Sequence, residues 1–433
     1  MFHRTSLLRL LLGGRGVVQI VVLAVTATTG GCSSPARPIR AVPQEVRGKV
    51  STPITTYESP STKQLLGNKK NKLVNTFKGS IPQGYHDQFV HDPALDVLAS
   101  LHVLAYRATR NVPARSLDTW VMWKLGVAGI YSGGGAWYGR GEGIRSQLNG
   151  AIKEMARELK PDYHYYAFGI SRLKIGPAEY VQSVVIVQKP VTVHNVRKFF
   201  EPGQSLLLAG KFRVPFDDPR FYIDLSDTEV LEIPIEVDED GKFMVRTTAP
   251  ATPGRHFIEV TITDPSDKGF GEWRWHRPVL MLPIYVDVDE PSSPDEMISQ
   301  PPANPPSEEL WALRLLELYN RERAKAGLTR IKLDSGANYV ATEQAEEYAD
   351  NPEAPPDPRL GAKLSGQGLP AGDIASGVSY FEYVDEAAWF HLLSPSTRQA
   401  LFNEATTTAG IGLARADNYN YSLFQIFLAP REE

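Results

Sequence analysis

The sequence predicts a multidomain α+β protein in which two mixed α/β units flank an all-β sandwich. The chain has 433 residues, of which 42% are hydrophobic, enough for two or three domains of roughly 100 to 200 residues each. Helical periodicity marks the stretches before and after a run of short strand-like segments. Residues 289–306 are rich in proline, which removes backbone donors and blocks helix, and so predict a semi-rigid spacer. The predicted folded units are 85–190, 191–288 and 307–433.

Residues 1–31 have the layout of a secretory signal peptide. Arginines precede an apolar run from Val17 to Val25, and small residues lead to Cys32, the only cysteine of the chain. A bilayer span needs about 20 apolar residues, more than this run offers, so cleavage is favoured over an uncleaved anchor with an ordinary cysteine behind it. With cysteine directly after two glycines, the segment resembles a bacterial lipoprotein signal, which implies that Cys32 is lipidated. The expected location is the cell envelope, membrane-anchored, in the periplasm or at the outer membrane if the host is diderm.

Residues 32–84 predict a disordered basic tether. Lysine and arginine outnumber acids between Arg37 and Lys78, and the tract is rich in Pro, Ser and Thr. Such a tract cannot bury enough apolar surface to offset its ordering entropy. It is either a plain solvated linker or a segment that lies along anionic headgroups or cell-wall polymer. The net charge of the whole chain, -4, gives no indication of a nucleic-acid partner.

The first folded unit, 85–190, predicts an α/β domain. A glycine-rich run from Gly133 to Gly143 lacks the Lys and Ser or Thr that follow a phosphate-binding loop, so it predicts a mobile loop. The other predicted elements are helices near 95–106, 117–125 and 144–159 and strands at 163–171 and 180–187.

The middle unit, 191–288, predicts a β-sandwich. Six short strand-like runs recur between turn signals, and Asp240-Gly241 is a strong hairpin signal between two of them. The segment from Pro253 to Val260 resembles the penultimate hairpin of immunoglobulin-like domains in exported proteins. The resemblance implies an immunoglobulin-like sandwich.

The last unit, 307–433, predicts helices and a closing hairpin. Ser307 can cap a helix whose first turn carries Glu308 and Glu309, acids that favour its positive end. A second helix is predicted at 336–349, a third near 384–393 and a short one through Leu401. A Pro- and Gly-rich loop separates the second and third helices, and strands are predicted at 408–414 and 421–428.

Two motifs in this unit resemble one family. LLELYNRERAKAGLTRIKLD, from Leu315 to Asp334, is similar to the first helix and following loop of the CAP family, also called the SCP or cysteine-rich secretory, antigen 5 and pathogenesis-related 1 group, in its disulfide-free bacterial form. SPSTRQALFNEATTTAGIGLA, from Ser394 to Ala414, is similar to a later helix and strand of that family. The resemblance implies an α-β-α sandwich with a cleft. Members are associated with lipid or sterol binding, peptide binding and, in some cases, a divalent metal.

The cleft of typical members holds two histidines and two glutamates, a set suited to zinc. Where the second histidine would stand, this chain has Thr397, and the best match to the glutamate motif is Gly372-Asp373-Ile374. His391 is the only histidine of the unit and lies in a predicted helix, so we interpret it as a packed or capping residue rather than a ligand. The residues expected to line the cleft are Asp373, Thr397, Arg398 and His391. No catalytic residue, metal or cofactor is expected.

Two functional hypotheses follow. The first is a non-catalytic envelope lipoprotein whose CAP-like cleft binds lipid, peptide, peptidoglycan or a protein partner, and which contacts the membrane through Cys32. The second is a hydrolase acting on peptide or cell-wall material, with Glu142 and Asp373 among its acid-base groups. The missing histidines favour the first. The sequence does not indicate an oligomeric state.

A sequence pattern that occurs in both the first and the last unit is consistent with the first unit being a degenerate second CAP-like copy. Gly141-Glu142-Gly143-Ile144 parallels Gly372-Asp373-Ile374, and Phe168-Gly169-Ile170 parallels Ile411-Gly412-Leu413. Helix, loop and closing strand pair is also a common arrangement, so both interpretations stay open.

Overall fold

The structure is a computed structural model. It describes residues 54–57, 72–79, 81, 83, 88–140, 146, 150, 166–263, 276–295, 299, 304–351, 354, 357–369, 373–416 and 420–429, with the backbone alone at 72, 130–133 and 373. The predicted signal peptide and Cys32 lie outside the described residues. Within the described ranges, no helix combines the length and apolar character needed to cross a membrane.

Two segments of the predicted tether are folded. Strand β1 (Thr56–Tyr57) pairs with Val196–Arg197, and helix α1 (Lys72–Lys78) places Phe77 4.0 Å from the ring of Phe168. Tyr57 is fully buried, and its hydroxyl donates to the carbonyl of Pro283 at 2.8 Å. The prediction of disorder across 32–84 is therefore wrong for these two segments. The tract is polar on average, so its composition does not reveal the two aromatic side chains Tyr57 and Phe77. The burial of these side chains orders the backbone around them.

The first unit is a four-stranded sheet with helices. Its remaining elements are β2 (Phe89–His91), α2 (Pro93–Thr109), α3 (Arg115–Lys124), β3 (Ile130–Arg140), β4 (Tyr166–Lys174) and β5 (Glu179–Gln188). The strand order is β2-β4-β5-β3, with β2 and β4 parallel and the other pairs antiparallel. Asp92 caps α2 by accepting from the amide of Ala94 at 3.0 Å.

The glycine-rich run is a strand, so the predicted loop from Gly133 is wrong as far as Arg140. Strand β3 pairs with β5 from Ile130 to Arg140, with one register shift between Tyr131 and Gly133. A Cβ on Gly135 would lie 2.8 Å from Cζ2 of Trp137, so the glycine leaves room for that ring. Glu142 and nearly all of the predicted helix 144–159 lie outside the described residues.

The middle unit consists of two sheets with a shared core. Its strands are β6 (Val191–Val193), β7 (Val196–Arg197), β8 (Phe199–Phe200), β9 (Ser205–Phe212), β10 (Asp217–Asp224), β11 (Val230–Pro234), β12 (Lys242–Thr248), β13 (Gly254–Thr263) and β14 (Arg277–Val286). The orders are β11-β10-β13-β14-β8 and β12-β9-β6. Leu208 and Phe243 from the smaller sheet join Phe221 and Val260 from the larger in one buried cluster. The sandwich is thereby confirmed, and its immunoglobulin-like character stays a prediction.

The last unit is an α-β-α sandwich. Its elements are α4 (Glu308–Lys325), β15 (Lys332–Leu333), α5 (Ser335–Asp350), α6 (Leu360–Gly366), β16 (Asp373–Phe381), α7 (Val384–Leu393), α8 (Pro395–Leu401), β17 (Thr408–Arg415) and β18 (Tyr421–Ala429). The strand order is β15-β17-β18-β16. One core joins α4 and α7 to the sheet, and a second joins α5 and α6 to its other face. The predicted loop between the second and third helices is wrong where it contains α6 and β16.

The first unit repeats the sheet of the last. In both, a short first strand runs parallel to the third, and the last strand pairs antiparallel with the third on one side and the second on the other. In both, an aspartate directly after the short strand caps the next helix, Asp92 in the first unit and Asp334 in the last. These shared features support the second-copy interpretation.

The packing of helix on sheet repeats as well. A Cβ on Gly169 would lie 2.2 Å from the carbonyl oxygen of Leu95, and one on Gly410 would lie 2.3 Å from that of Ala337. Gly410 is therefore the structural partner of Gly169, and the pairing with Gly412 expected from the sequence is off by two residues. The pairing of Gly141-Glu142 with Gly372-Asp373 is also wrong, because the former follows β3 whereas the latter precedes or begins β16.

The three units meet at an aromatic junction. The ring of Trp123 from α3 lies 5.6 Å from Phe257 of the sandwich and 5.5 Å from Trp389 of α7. Asp295 of the Pro-rich linker accepts from Nε1 of Trp389 at 2.7 Å, and Glu290 lies 3.2 Å from Nζ of the buried Lys198. These two contacts bind the linker to the folded units, so it does not act as a spacer between them.

Candidate functional site

A buried polar network surrounds His391 in the last unit. Helix α7 carries His391, helix α4 carries Tyr319, and strands β16 and β18 carry Ser379 and Gln425. The Tyr319 hydroxyl donates to Oε1 of Gln425 at 2.7 Å, and its oxygen lies 2.6 Å from Nδ1 of His391. Oγ of Ser379 lies 3.1 Å from Nε2 of the same ring.

The imidazole of His391 is surrounded by neutral groups. The Tyr319 hydroxyl oxygen lies 2.6 Å from Nδ1, and Nε2 of Gln425 lies 3.2 Å from the same nitrogen. Oγ of Ser379 lies within hydrogen-bonding distance of Nε2. Both ring nitrogens therefore have hydrogen-bonding partners, and none of these partners is acidic.

Burial keeps this network uncharged. It lowers the pKa of His391 to about 3, because imidazolium would lose its hydration without gaining an acidic partner. Burial also raises the pKa of Tyr319 well above its usual value. A base as weak as this histidine cannot take a proton from serine efficiently near neutral pH.

The network borders open space along β16. Ser379 is half-buried, and a Cβ built on Gly377 would meet no atom within 4 Å. Gly377 lies directly opposite Gln425 in the pairing of β16 with β18. The network thus borders open space at Ser379, whereas Gln425 is buried.

Thr397 and Arg398 belong to a different contact. Oγ1 of Thr397 donates to Oγ of Ser394 at 3.1 Å within the first turn of α8. Arg398 donates to the carbonyls of Asp227 at 2.7 Å and Ser226 at 3.4 Å in the sandwich. Arg398 thus helps to hold α8 against the sandwich, whereas Thr397 bonds to the residue that caps its own helix. The expectation that both residues line a cleft with His391 stays a prediction.

A buried carboxylate completes this second contact. Glu259 of β13 accepts from Oγ of Ser394 at 3.0 Å and from the amide of Ser396 at 2.8 Å. Burial raises the pKa of Glu259, and the bonds from Ser396 and Ser394 only partly offset that effect. Glu259 of the sandwich therefore contacts the N-terminal end of α8, next to Thr397, where the resemblance to the CAP family implies a histidine.

Asp373, the remaining predicted residue, begins β16 opposite Ala429. Its side chain lies outside what the structure describes, as does Glu142. Across the described ranges, no group of three or more His, Cys, Asp or Glu side chains is placed to hold a metal ion.

Three residues of the network were missed from the sequence. Gln425 interrupts an apolar strand run, which is a usable signal for a buried polar group. Tyr319 lies within the motif from Leu315 to Asp334, but nothing in the sequence connects it to His391. Ser379 lies in a strand that the sequence did not predict.

The family model described as CAP, Cysteine-rich secretory protein family, matches residues 316–428. The C-terminal unit is a CAP domain. The match begins in α4 and ends in β18, so the His391 network and Thr397 both lie inside the CAP domain.

Solved structures similar to the chain include three bacterial proteins. An outer surface protein from Borrelia burgdorferi is 16% identical, with 29% of this chain and 96% of that chain covered and a TM-score of 0.25. An extracellular protein containing a SCP domain from Bacillus anthracis is 17% identical, with coverages of 42% and 65% and a TM-score of 0.24. A cysteine-rich secretory protein from Staphylococcus aureus is 14% identical, with coverages of 55% and 83% and a TM-score of 0.25. No curated protein was found to match the chain.

Proposed function

We propose that this protein is an exported lipoprotein, held in the cell envelope through Cys32, whose CAP domain binds a ligand or partner without catalysing a reaction. The observation that carries the absence of catalysis is the neutral, acid-free setting of His391. Its partners are Tyr319, Ser379 and Gln425, and burial lowers its pKa to about 3.

The contacts of Thr397 and its helix support the same proposal. The residue that replaces the family's second histidine bonds to Ser394, and its helix packs on Glu259 and the loop at Asp227. A metal-activated water would need ligands at this position. Hydrolysis assisted by zinc is accordingly disfavoured for this chain.

Purified full-length protein tests the absence of catalysis. We expect no zinc to survive dialysis at one ion per chain and no turnover of peptide or cell-wall substrates. Stoichiometric zinc, or turnover that is lost in Asp373→Asn, would contradict the proposal.

The anchor is tested separately by Cys32→Ser. The variant is expected to leave the membrane fraction or to be mislocalised, because it lacks the thiol that would carry the lipid. An unchanged membrane association at unchanged mature size would show that Cys32 is not the anchor.

A hydrolase is the second candidate, and one observation favours it. Ser379, His391 and Tyr319 follow one another in hydrogen-bonding order, at 3.1 and 2.6 Å, as a serine, its base and an orienting group would. The orienting group here is a neutral phenol, which does not stabilise an imidazolium as a carboxylate does. Labelling by a fluorophosphonate that disappears in Ser379→Ala would establish this alternative.

A further inference from the structure

His256 ties two loops together at one end of the sandwich. It lies on β13 and is buried. Its Nδ1 lies 3.0 Å from the carbonyl oxygen of Asp224 at the end of β10, and its Nε2 lies 2.8 Å from the carbonyl oxygen of Thr252. The side chain therefore bridges the loop after β10 and the loop before β13.

Both partners of this ring can only accept hydrogen bonds. A carbonyl oxygen carries no hydrogen, and a neutral imidazole donates from one nitrogen alone. The other nitrogen of a neutral ring would turn its lone pair toward the facing carbonyl oxygen. The two contacts together therefore favour the protonated ring, which donates to both oxygens. His391 differs, because its partners include hydroxyl and amide groups that can donate.

A buried carboxyl group lies on the same loop as one of these carbonyls. The side chain of Asp224 accepts from the amide of Phe257, and its Oδ2 lies 3.8 Å from Nη1 of Arg398. Burial raises the pKa of Asp224, whereas Arg398, the amide of Phe257 and His256 act in the opposite direction. The charged groups on the elements around His256 are Asp224 on β10, Asp227 in the loop, Glu259 on β13 and Arg398 on α8, and Ile284 lies opposite it on β14.

The loop that His256 holds also receives the CAP domain. The carbonyls of Ser226 and Asp227 accept from Arg398 at 3.4 and 2.7 Å, and only Leu225 separates Ser226 from the carbonyl that faces His256. The two contacts share this short segment of backbone, so each favours the other. Protonation of His256 and docking of α8 are therefore linked.

We propose that His256 is a pH-sensitive switch at the joint between the sandwich and α8 of the CAP domain. The protonated ring holds loop 224–227 where Arg398 reaches it. Loss of the proton as the pH rises leaves one of the two carbonyls without its donor, loosens the loop and lets α8 move away from the sandwich. Imidazole is the side chain suited to this task, since its charge changes between about pH 5 and pH 8. This regulation goes beyond the proposed binding function and does not depend on it.

Hydrogen exchange of the full chain in detergent measures the joint, because the amide of Ser396 at the start of α8 bonds to Glu259 across it. The experiment uses Glu259→Gln, since ionisation of that carboxyl also loosens the joint as the pH rises. Protection of the α8 amides, corrected for the intrinsic exchange rate, should fall at least about fivefold from pH 6 to pH 8.5, as expected for loss of one hydrogen bond from a charged donor.

Two second substitutions in Glu259→Gln assign the effect. His256→Gln should abolish the fall, because no group that changes charge is left at this position. His194→Gln, at an exposed histidine, is the matched control and should keep it. Protection that does not change with pH in Glu259→Gln would overturn the proposal, as would an equal fall with and without His256→Gln.

Two further measurements separate the switch from loss of the fold. The core of β13 and β14 should keep its protection at pH 8.5, and a matching loss there would show unfolding of the sandwich and would contradict the proposal. NMR of the His256 ring in Glu259→Gln needs no change at the histidine itself. Both ring nitrogens should carry hydrogen at pH 6 and one of them at pH 8.5. A ring that is neutral at pH 6 would overturn the switch.

Discussion

His391 shows how burial decides the chemistry of a single residue. The side chain sits in the CAP domain, and its neighbours are a phenol, a hydroxyl and an amide. Without an acidic partner, the desolvation cost of imidazolium is uncompensated. The residue therefore acts as a neutral connector between α4, α7 and the sheet.

The lowered pKa of His391 makes the stability of the protein depend on pH. The unfolded chain binds a proton at this histidine below about pH 6.5, and the folded chain does so only near pH 3. The contribution is thus complete above pH 6.5 and is lost as the pH falls through about 3. We expect the free energy of unfolding to fall by about 2 kcal/mol from pH 7 to pH 5 from this group.

Urea unfolding of His391→Gln and of the native chain measures the contribution of His391 to this pH dependence. The variant should lose most of the difference between pH 7 and pH 5, whereas His194→Gln, at an exposed histidine, should keep it. The same pH dependence in His391→Gln and the native chain would be inconsistent with a buried neutral histidine.

At the scale of elements, glycine sets how closely helix and sheet approach. Gly169 and Gly410 lie under α2 and α5 at equivalent places of the first unit and the CAP domain. Neither has room for a methyl group, since the obstructing atoms belong to the helix backbone. This shared contact supports the second-copy interpretation together with the shared strand order.

Gly410→Ala should destabilise the CAP domain by about 1–3 kcal/mol, because a backbone carbonyl cannot move aside cheaply. Gly361→Ala should be neutral or stabilising, because the helical position is open and alanine is the better helix former. Thermal unfolding compares the two variants. Equal stability would mean that the helix can shift away from the sheet.

The contact between α8 and the sandwich has its own pH dependence. Burial raises the pKa of Glu259, so the contact is most stable at low pH, where the carboxyl is neutral, and loses stability as the pH rises through the raised value. Glu259→Gln keeps an acceptor for Ser396 and removes the charge. We expect this variant to be more stable than the native chain at pH 8 and the difference to shrink toward pH 5.

Glu229→Gln, at an exposed position of the sandwich, controls for the loss of one negative charge. It should follow the native chain at every pH. A Glu259→Gln variant that is less stable than the native chain at pH 8 would show that the ionised carboxylate is the favoured state.

Helices and strands with strong local signals could be predicted from the sequence, and those without such signals could not. The amphipathic helices α2, α4 and α5 follow from spacing and caps that act within a few residues. Strand β16, with Gly377 and two serines, has a weak strand pattern and exists because β18 pairs with it. The His391 network joins residues far apart in the chain, so no local signal could assemble it.

At the scale of the whole molecule, the N-terminal tract begins to pack against the folded units at a lower residue number than its composition predicts. Strand β1 fastens the chain to the sandwich at Tyr57, whose ring lies 4.7 Å from Nζ of Lys198. Composition describes the average of a tract, whereas one buried aromatic side chain is enough to attach it. The predicted tether from Cys32 is accordingly shorter than 32–84.

Tyr57→Ala should cost about 3–5 kcal/mol, as expected for loss of a fully buried aromatic side chain, and should expose the backbone near Thr56 to proteolysis. Tyr339→Ala, at a tyrosine that is 56% exposed, is the control and should leave stability and the cleavage pattern unchanged. Limited proteolysis with mass spectrometry locates the cuts. Protection of Thr56 in Tyr57→Ala would mean that β1 is held by pairing alone.

We propose that the CAP domain binds without catalysis, and the buried, neutral state of His391 is the observation behind the absence of catalysis. NMR titration of the His391 ring nitrogens, with and without Zn²⁺, measures that state. We expect a neutral imidazole from pH 8 to about pH 4 and no change of its signals on addition of zinc. Titration near pH 6.5, or a shift of a ring-nitrogen signal when zinc is added, would show that the histidine is accessible to protons and metal and that the proposal is wrong.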